Sequence, residues 1–291
     1  ELRKTYKLLL NSGASIHEIN TVRKHLSETS GGKLGKLLSG TALVSIILSD
    51  VPGDTADVVG SGPTVPDTSN FTAAFQVLKK YGLWDEVPHS IRVHLSKGMH
   101  GDVPENPKPG KNVWEKHKVK VISGAGMLAQ NVGHFLSEQG YNVTVDSEAY
   151  NMVVDKISRK ICSDAISVLS ERSALKEPAA YVYFGESTVE VKGEGKGGRN
   201  QELALNAALS IEGQHDISLL SFATDGVDGP TDAAGAIVNS ETTLKARTQK
   251  LSPEDYLQNN DSYHFHKKMN TLIKTGATGT NLMDLQIALI G

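Results

Sequence analysis

The sequence predicts an α/β protein with open, mostly parallel sheets. Apolar segments of strand length alternate with amphipathic segments of helix length along the chain, which is the pattern of sheets covered by helices. With 291 residues, 38% of them hydrophobic, the chain can bury a large core and is long enough for two domains. Residues 98–111 are rich in Gly, Pro, Asn and Lys without periodicity. We therefore expect one domain at residues 1–110 and a second at residues 111–291.

The first domain is predicted to begin with two helices within residues 1–40. Ser15 followed by Glu18 has the spacing of a capping box. One face of the second helix is apolar: Ile16, Ile19, Val22 and Leu26. The continuous aliphatic run at residues 43–49 predicts a strand covered on both sides, and residues 72–81 predict a further helix.

The second domain is predicted to alternate strands and helices. Residues 118–123, 127–139 and 142–145 have the patterns of a strand, a helix and a strand, which we interpret as a βαβ unit. The later elements are a helix at 155–171, strands at 181–184 and 188–192, a helix at 200–209, a strand at 217–223, a helix opened by Ser252-Pro253, and a strand at 284–290.

Composition excludes several classes of function. The net charge is −3 without a basic stripe, which argues against nucleic-acid or membrane-surface partners, and no apolar run reaches the length of a membrane span. The single cysteine, Cys162, lies among apolar residues at helical spacing, so we expect a packed thiol rather than a nucleophile. A chain with one cysteine cannot form an internal disulfide, and this count fits a cytoplasmic location. The ten histidines show no metal-binding spacing.

A glycine-rich loop, GEGKGGRN at residues 193–200, enters the helix predicted at 200–209. The exposed N–H groups of a helix N-terminus attract anions, and Arg199 adds a guanidinium that can grip phosphate. We interpret the loop as a phosphate-binding element; a flexible hairpin with a solvated arginine is the alternative. Its candidate cofactor-binding residues are Gly193, Gly195, Gly197, Gly198 and Asn200.

An aspartate-rich loop, TDGVDGPTD at residues 224–232, follows the apolar strand at 217–223. Ligands collect at such strand ends in open α/β sheets. Asp225, Asp228 and Asp232 offer the hard oxygen ligands that suit Mg²⁺. Two turns with locally bonded aspartates are the alternative. No glutamate closes an EF-hand.

Two further loops carry candidate site residues. Asp50 ends the first aliphatic run, where it suits a base or a group that binds a hydroxyl; an N-capping aspartate is an equal alternative. Residues 275–281, TGATGTN, are small and polar and suit a backbone cradle for a ligand, with Thr278, Gly279 and Asn281 as its candidates. An ordinary surface loop is the alternative there.

A different motif supports a competing function. GAGMLA at residues 124–129 fits G-x-G-x-x-A between a predicted strand and a predicted helix, and Asp146 follows about twenty residues later. This is the dinucleotide-binding fingerprint. It would support an NAD(P)-dependent reductase.

Taken together, the motifs resemble the class II glycerate kinases, whose chains end in the so-called MOFRL domain. The matching strings extend over essentially the whole chain: LSDVPGD with SGPT, GESTVEVKGEGKGGRNQELAL, TDGVDGPTDAAGA, NDS at 260–262, and TGATGTNLMDL. The resemblance implies ATP- and Mg²⁺-dependent phosphorylation of D-glycerate at O2 to 2-phosphoglycerate. It also implies a Rossmann-like parallel-sheet domain, a C-terminal mixed-sheet domain, and an active site in the cleft between them. A homodimer is left open.

The resemblance carries site roles over to Asp50, Glu186, Arg199, Asp225 and Asn281, each inside its own motif. Two departures stand out. The family has a further N-terminal stretch, with a lysine in a G-K-A segment and a glycine- and serine-rich phosphate loop, which would lie upstream of the first residue. We therefore expect a fragment or an incomplete chain, and a nucleotide-binding fragment with impaired catalysis is an alternative function. The family's usual asparagine is replaced by Gly126.

The resulting hypothesis is phosphoryl transfer by positioning and charge neutralisation. ATP phosphates would lie against residues 193–198, with Arg199 neutralising the transferring group. Asp225, helped by Asp228 or Glu186, would hold Mg²⁺ or activate the glycerate hydroxyl. Asp50 would orient that hydroxyl. Hydroxypyruvate reductase remains the competing enzyme.

Overall fold

The computed structural model describes residues 1–49, 51, 55–110 and 112–291. The chain divides into two compact units, Glu1–Ile122 (unit 1) and Ser123–Gly291 (unit 2), and each has its own hydrophobic core. The domain ranges predicted from the sequence stay predictions. No helix in the described part of the chain is long and apolar enough to cross a membrane.

Unit 1 is mainly helical. Its helices are α1 (Leu2–Leu10), α2 (Ile16–Leu26), α3 (Lys33–Leu37), α4 (Phe71–Lys80) and α5 (His89–His100). The capping box at the start of α2 is confirmed, because Ser15 and Glu18 each accept the other's backbone N–H. Helices α1, α2, α4 and α5 pack around a core that includes Phe71 and Leu95. Helix α5 was not predicted, and its last turn lies in the segment predicted as a linker.

The two strands β1 (Leu43–Leu48) and β2 (His117–Ser123) pair in a separate two-stranded sheet. The prediction that β1 is covered on both sides is wrong. Val44, Ile46 and Leu48 are 64%, 67% and 49% exposed, whereas the residues between them are better shielded. Alternate burial is the pattern of a sheet with one solvent-facing side.

Unit 2 contains a seven-stranded sheet. Its strands are β3 (Asn142–Val145), β4 (Tyr150–Val153), β5 (Ala179–Thr188), β6 (Ile217–Ala223), β7 (Gly235–Asn239), β8 (Leu272–Ile273) and β9 (Asp284–Ile290). The strand order is β3-β5-β9-β6-β7-β8, and β4 pairs with the second half of β5. Its helices are α6 (Ala125–Glu138), α7 (Val154–Leu169), α8 (Arg199–Ser210), α9 (Thr242–Thr248), α10 (Pro253–Gln258) and α11 (Ser262–Met269).

This sheet is mixed, as the resemblance implies for the C-terminal domain, and the prediction of mostly parallel sheets is wrong here. Strands β3 and β4 run parallel to β5, but the other four pairings are antiparallel. The cause is the last strand, β9, which inserts between β5 and β6 and runs against both. The separate strand predicted at residues 188–192 is also wrong, since β5 ends at Thr188.

The predicted βαβ unit is wrong, although its three elements lie close to where the sequence places them. Strand β2 pairs with β1, whereas β3 pairs with β5 in the other sheet. A βαβ unit requires both strands in one sheet, so α6 does not form the crossover of such a unit.

Helices cover both faces of the seven-stranded sheet. Helices α7 and α8 pack on one face, where Ile157, Leu203 and Tyr183 belong to one buried core. Helix α6 packs on the other, against Val182 and Phe184. The packed thiol is confirmed: Cys162 is 3% exposed within the α7 face, and burial raises its pKa to about 11.

A buried histidine connects α11 to the first turn of α8. The side chain of His266 is fully buried, and its Nε2 lies 2.9 Å from the carbonyl oxygen of Gln201 while Nδ1 lies 2.8 Å from Oγ1 of Thr271. Because a carbonyl only accepts, Nε2 carries the proton and the neutral ring satisfies both contacts. Burial lowers the pKa of His266 to about 4.

We predict acid destabilisation from His266. Between pH 6.5 and 4, this histidine is protonated in the unfolded chain but stays neutral in the folded protein. As the pH falls through this range, His266 therefore lowers the free energy of unfolding by about 1.4 kcal/mol per pH unit. Urea unfolding followed by circular dichroism should show a shallower pH slope in His266→Gln. His17→Gln, at an exposed histidine, is the control and should keep the wild-type slope. Parallel slopes in wild type and His266→Gln would contradict the prediction.

Candidate functional site

The candidate site lies in unit 2, where β6 ends, β9 begins and β5 continues past them to pair with β4. Asp284, the first residue of β9, pairs with Gly185 of β5 on one side and with Ala223 of β6 on the other. Glu186 follows directly after Gly185, and Asp225 lies two residues after Ala223. The antiparallel course of β9 therefore brings three carboxylates, distant in sequence, to one edge.

Arg199 lies at this edge between two of those carboxylates. Its Nη2 donates to Oδ1 of Asp284 at 3.0 Å and to Oε1 of Glu186 at 3.2 Å, and its Nε lies 2.6 Å from Oδ2 of Asp284. Burial opposes the charge on Arg199, but the bonds and attraction of the two carboxylates outweigh it and raise the pKa of the guanidinium. One third of the side chain is exposed, so this charge can meet a ligand.

Sequence reasoning missed Asp284. The side chain is 1% exposed, and burial raises its pKa to about 6 although the ion pair with Arg199 acts in the opposite direction. The available signal was a carboxylate immediately before an apolar strand, in the matching string TNLMDL. The alternation of strands and helices predicted parallel sheets, which would have placed the start of this strand at the opposite edge from Arg199.

A buried polar network lies beneath Arg199. Oδ1 of Asn200 accepts from Oγ of Ser221 at 2.7 Å and from Nε2 of Gln286 at 3.2 Å, and the hydroxyl of Tyr150 donates to Gln286 at 2.8 Å. Asn200 is fully buried in this network. The geometry gives no support to the predicted contact between Asn200 and a cofactor, because its amide is engaged inside the protein.

The glycine loop is clamped by its own chain. The five consecutive N–H groups of residues 192–196 all donate to residues 259–261. Lys192 and Gly193 donate to Oδ1 of Asn260 at 2.7 and 2.9 Å, Glu194 to Oδ1 of Asn259 at 3.1 Å, Gly195 to the carbonyl of Asn259 at 2.9 Å, and Lys196 to Oδ1 of Asp261 at 2.9 Å. These donors are therefore not available to phosphate in this arrangement, contrary to the prediction for residues 193–196.

Close packing accounts for the glycines of this loop. A Cβ on Gly195 would lie 2.5 Å from the carbonyl oxygen of Asn259 and 2.7 Å from Cα of Asp261. Gly193 packs equally closely on Asn259, and Gly197 on Ser262. Among the described residues none accepts from the N–H groups of Gly197 and Gly198, and these two glycines keep the predicted phosphate-binding role as a hypothesis.

The N-terminus of α8 is already capped by a carboxylate. Asp228 accepts from the backbone N–H groups of Asn200 and Gln201 at 3.1 and 2.9 Å, and from their side-chain amides at 3.4 and 2.8 Å. A carboxylate has about four acceptor positions, and all four are used. Asp228 is 1% exposed, and burial raises its pKa despite these bonds. The metal role predicted for Asp228 is therefore contradicted by its contacts.

Asp225 differs from Asp228 in its surroundings. It is half-buried, and its Oδ1 accepts from the N–H of Val227 at 2.9 Å. Within the described part of the chain no donor reaches its Oδ2, so this carboxylate can still bind a cation. The third aspartate, Asp232, is exposed and pairs with Lys274 at 2.7 Å. The three aspartates of this loop thus do not form one metal cluster.

The loop of Asp225 is joined to the predicted ligand cradle. Thr278 donates its N–H to the carbonyl of Asp225 at 3.0 Å and its hydroxyl to the carbonyl of Thr224 at 2.7 Å. Gly279 and Asn281 are exposed in the same segment. The structure therefore brings Asp225, Thr278, Gly279 and Asn281 together, while Asp50 lies outside the described residues.

Comparison with known proteins identifies the family. Residues 179–284 match the model of the MOFRL family, and residues 1–96 match a domain of unknown function, DUF4147. The chain is 41% identical over 290 residues to D-glycerate 2-kinase of Thermotoga maritima, a match that covers 100% of this chain and 66% of that protein. It is 34% identical to glycerate kinase of Macaca fascicularis, covering 97% of this chain and 80% of that protein. The chain belongs to the glycerate kinase family.

A solved structure agrees with this assignment to the glycerate kinases. The crystal structure of glycerate kinase from Thermotoga maritima matches with a TM-score of 0.90 and 40% identity, over 100% of this chain and 67% of that chain. The present chain spans about two thirds of the length of the first curated relatives that it matches.

The dinucleotide fingerprint at residues 124–129 lacks its structural context in this glycerate kinase fold. The fingerprint requires a strand, a helix and a second strand of one sheet, but β2 and β3 belong to different sheets. Asp146 forms an ion pair with Lys160 at 3.1 Å. The topology therefore does not favour a reductase.

We predict that Gly195→Ala destabilises the protein. The added methyl group meets backbone atoms of Asn259 and Asp261, which cannot move without breaking the clamp, so the free energy of unfolding should fall by about 1–3 kcal/mol. Gly40→Ala, where a Cβ meets no atom within 4 Å, is the control and should change the urea midpoint little. A Gly195→Ala protein of unchanged stability with weakened ATP binding alone would instead favour direct phosphate contact.

Proposed function

We propose that the protein, in its natural length, transfers a phosphoryl group from ATP to O2 of D-glycerate. The reaction depends on Mg²⁺ and yields 2-phosphoglycerate. The family membership supports the reaction class. The observation that carries the proposal in this chain is Arg199, a guanidinium held at the sheet edge with part of its surface exposed. Phosphoryl transfer depends mainly on positioning and on neutralising the charge that spreads over the phosphoryl oxygens.

Arg199 would neutralise the transferring group. Two of its nitrogens, Nε and Nη2, contact Asp284 and Glu186, and among the described residues no acceptor contacts Nη1. The N–H groups of Gly197 and Gly198 directly precede this arginine and would add donors to the phosphate oxygens. ATP phosphates would therefore lie against the end of the glycine loop rather than along its whole length.

Asp225 is suited to act as a ligand of Mg²⁺. Mg²⁺ is usually held by one or two carboxylates together with substrate phosphates and water, and Asp225 keeps one carboxylate oxygen without a donor from the described residues. When bound, Mg²⁺ would neutralise charge on the nucleotide phosphates. The side-chain amide of Asn281, with the backbone of Gly279, would bind substrate or phosphate oxygens, and the hydrogen bonds of Thr278 to Thr224 and Asp225 would hold this segment in place. Asp50 keeps its predicted role of orienting the glycerate hydroxyl, and Glu186 that of a second carboxylate beside Arg199.

Assays of the natural-length protein test the proposed reaction directly. We expect ADP formation that requires D-glycerate and Mg²⁺, and no NADH oxidation with hydroxypyruvate. Product identity follows from adding enolase alone, which consumes 2-phosphoglycerate but not 3-phosphoglycerate. NADH loss without ADP formation would instead establish the reductase. The isolated chain, assayed in parallel, tests the alternative of a fragment that binds ATP without turnover.

We predict that Arg199→Ala lowers kcat about a thousandfold, on the scale of a phosphoryl-transfer arginine. Arg159→Ala is the matched control, because Arg159 is an exposed arginine paired with Asp155 on α7 and should leave kcat unchanged. A loss of tenfold or less in Arg199→Ala would remove this arginine from the mechanism.

A further inference from the structure

We propose that Asp284 is a positioning residue for Arg199, whose carboxylate fixes the guanidinium at the sheet edge and leaves Nη1 for the phosphoryl group. This inference rests on the proposed phosphorylation, because it concerns the same arginine. It assigns the working geometry of Arg199 to a buried residue in the first position of the last strand.

Asp284 contacts Arg199 through both of its carboxylate oxygens. Oδ2 of Asp284 lies 2.6 Å from Nε, and Oδ1 accepts from Nη2 at 3.0 Å. Both contacts fall on one edge of the planar guanidinium: the contact of Nη2 is a hydrogen bond and that of Nε is an ion pair, and together they hold the group against Asp284. Oδ2 is buried, and no described residue gives it a well-aligned hydrogen-bond donor; Arg199 Nε is its nearest cation.

The backbone of Asp284 cannot follow a moving arginine. The residue is held in two ladders at once, opposite Gly185 of β5 and Ala223 of β6. Gly185 in turn packs tightly on the backbone of Tyr150, where a Cβ would overlap. The carboxylate is therefore fixed to the sheet, and its position determines where the guanidinium of Arg199 binds.

Glu186 cannot replace this function. Its side chain is 49% exposed and reaches Arg199 through one oxygen at 3.2 Å, whereas Asp284 is 1% exposed and contacts two nitrogens. Exposed ion pairs are weak, but a buried carboxylate that loses its cation is strongly disfavoured. An incoming phosphate can thus displace Glu186 from Nη2 without displacing Arg199 from Asp284.

A double-mutant cycle in the natural-length protein tests the inference. Asp284→Asn should lower kcat about 100-fold, the scale of a misplaced catalytic group, with KM values for ATP and D-glycerate changed less than about threefold. In an Arg199→Ala background, the same Asp284→Asn change should alter kcat less than about threefold, since there is no guanidinium left to position.

Three further measurements keep the cycle interpretable. Asp155→Asn removes an exposed carboxylate that also pairs with an arginine, and it should leave kcat unchanged. Asp284→Glu keeps the charge but moves it, so it should retain more activity than Asp284→Asn. Urea midpoints show which variants fold, and if Asp284→Asn does not, Asp284→Glu takes its place in the cycle.

Two results would overturn the inference. One is an Asp284→Asn loss of kcat that multiplies with the Arg199→Ala loss, because the two residues then act independently. The other is an Asp284→Asn change that leaves kcat unaltered, or alters KM alone, while Arg199→Ala lowers kcat about a thousandfold. A small loss in Arg199→Ala itself would refute the proposed role of the arginine, which is a separate failure.

Discussion

The candidate site depends on one ion pair whose carboxylate is buried. Asp284 has almost no contact with solvent, and its charge is acceptable there because Arg199 lies against it. The arginine is the first residue of α8 and the aspartate the first residue of β9, so the pair connects a helix to the centre of the sheet. The pair thereby links the position of β9 in the sheet to the position of the partly exposed guanidinium.

Internal hydrogen bonds to backbone N–H groups also explain the loops around the site. Asp228 occupies the N-terminus of α8, where an unpaired set of N–H groups would otherwise attract an external anion. Residues 259–261 take up the N–H groups of residues 192–196 in the same way. In the described part of these loops, the polar groups left for a ligand lie beside Arg199, at Asp225 and at Asn281.

Motif strings and topology carry different information about function. The string at residues 124–129 satisfies a dinucleotide fingerprint, and helix α6 begins where that fingerprint requires it. The strand before it nevertheless pairs with β1, so the phosphate-binding crevice of that fold is not formed. The resemblance of the longer strings to the glycerate kinases is confirmed. These strings extend over many helices and strands, so they are more specific than one short motif.

Local elements can be predicted from the sequence alone. The strands at residues 217–223 and 284–290, the capping box at Ser15 and the packed thiol of Cys162 all follow from patterns of burial and short-range hydrogen bonding. The pairing of the strands, which brings Arg199 to an aspartate 85 residues away, is set by the three-dimensional fold. The reason is physical: hydrophobic periodicity reports which face of a segment is buried, but not which segment covers it or in which direction that segment runs.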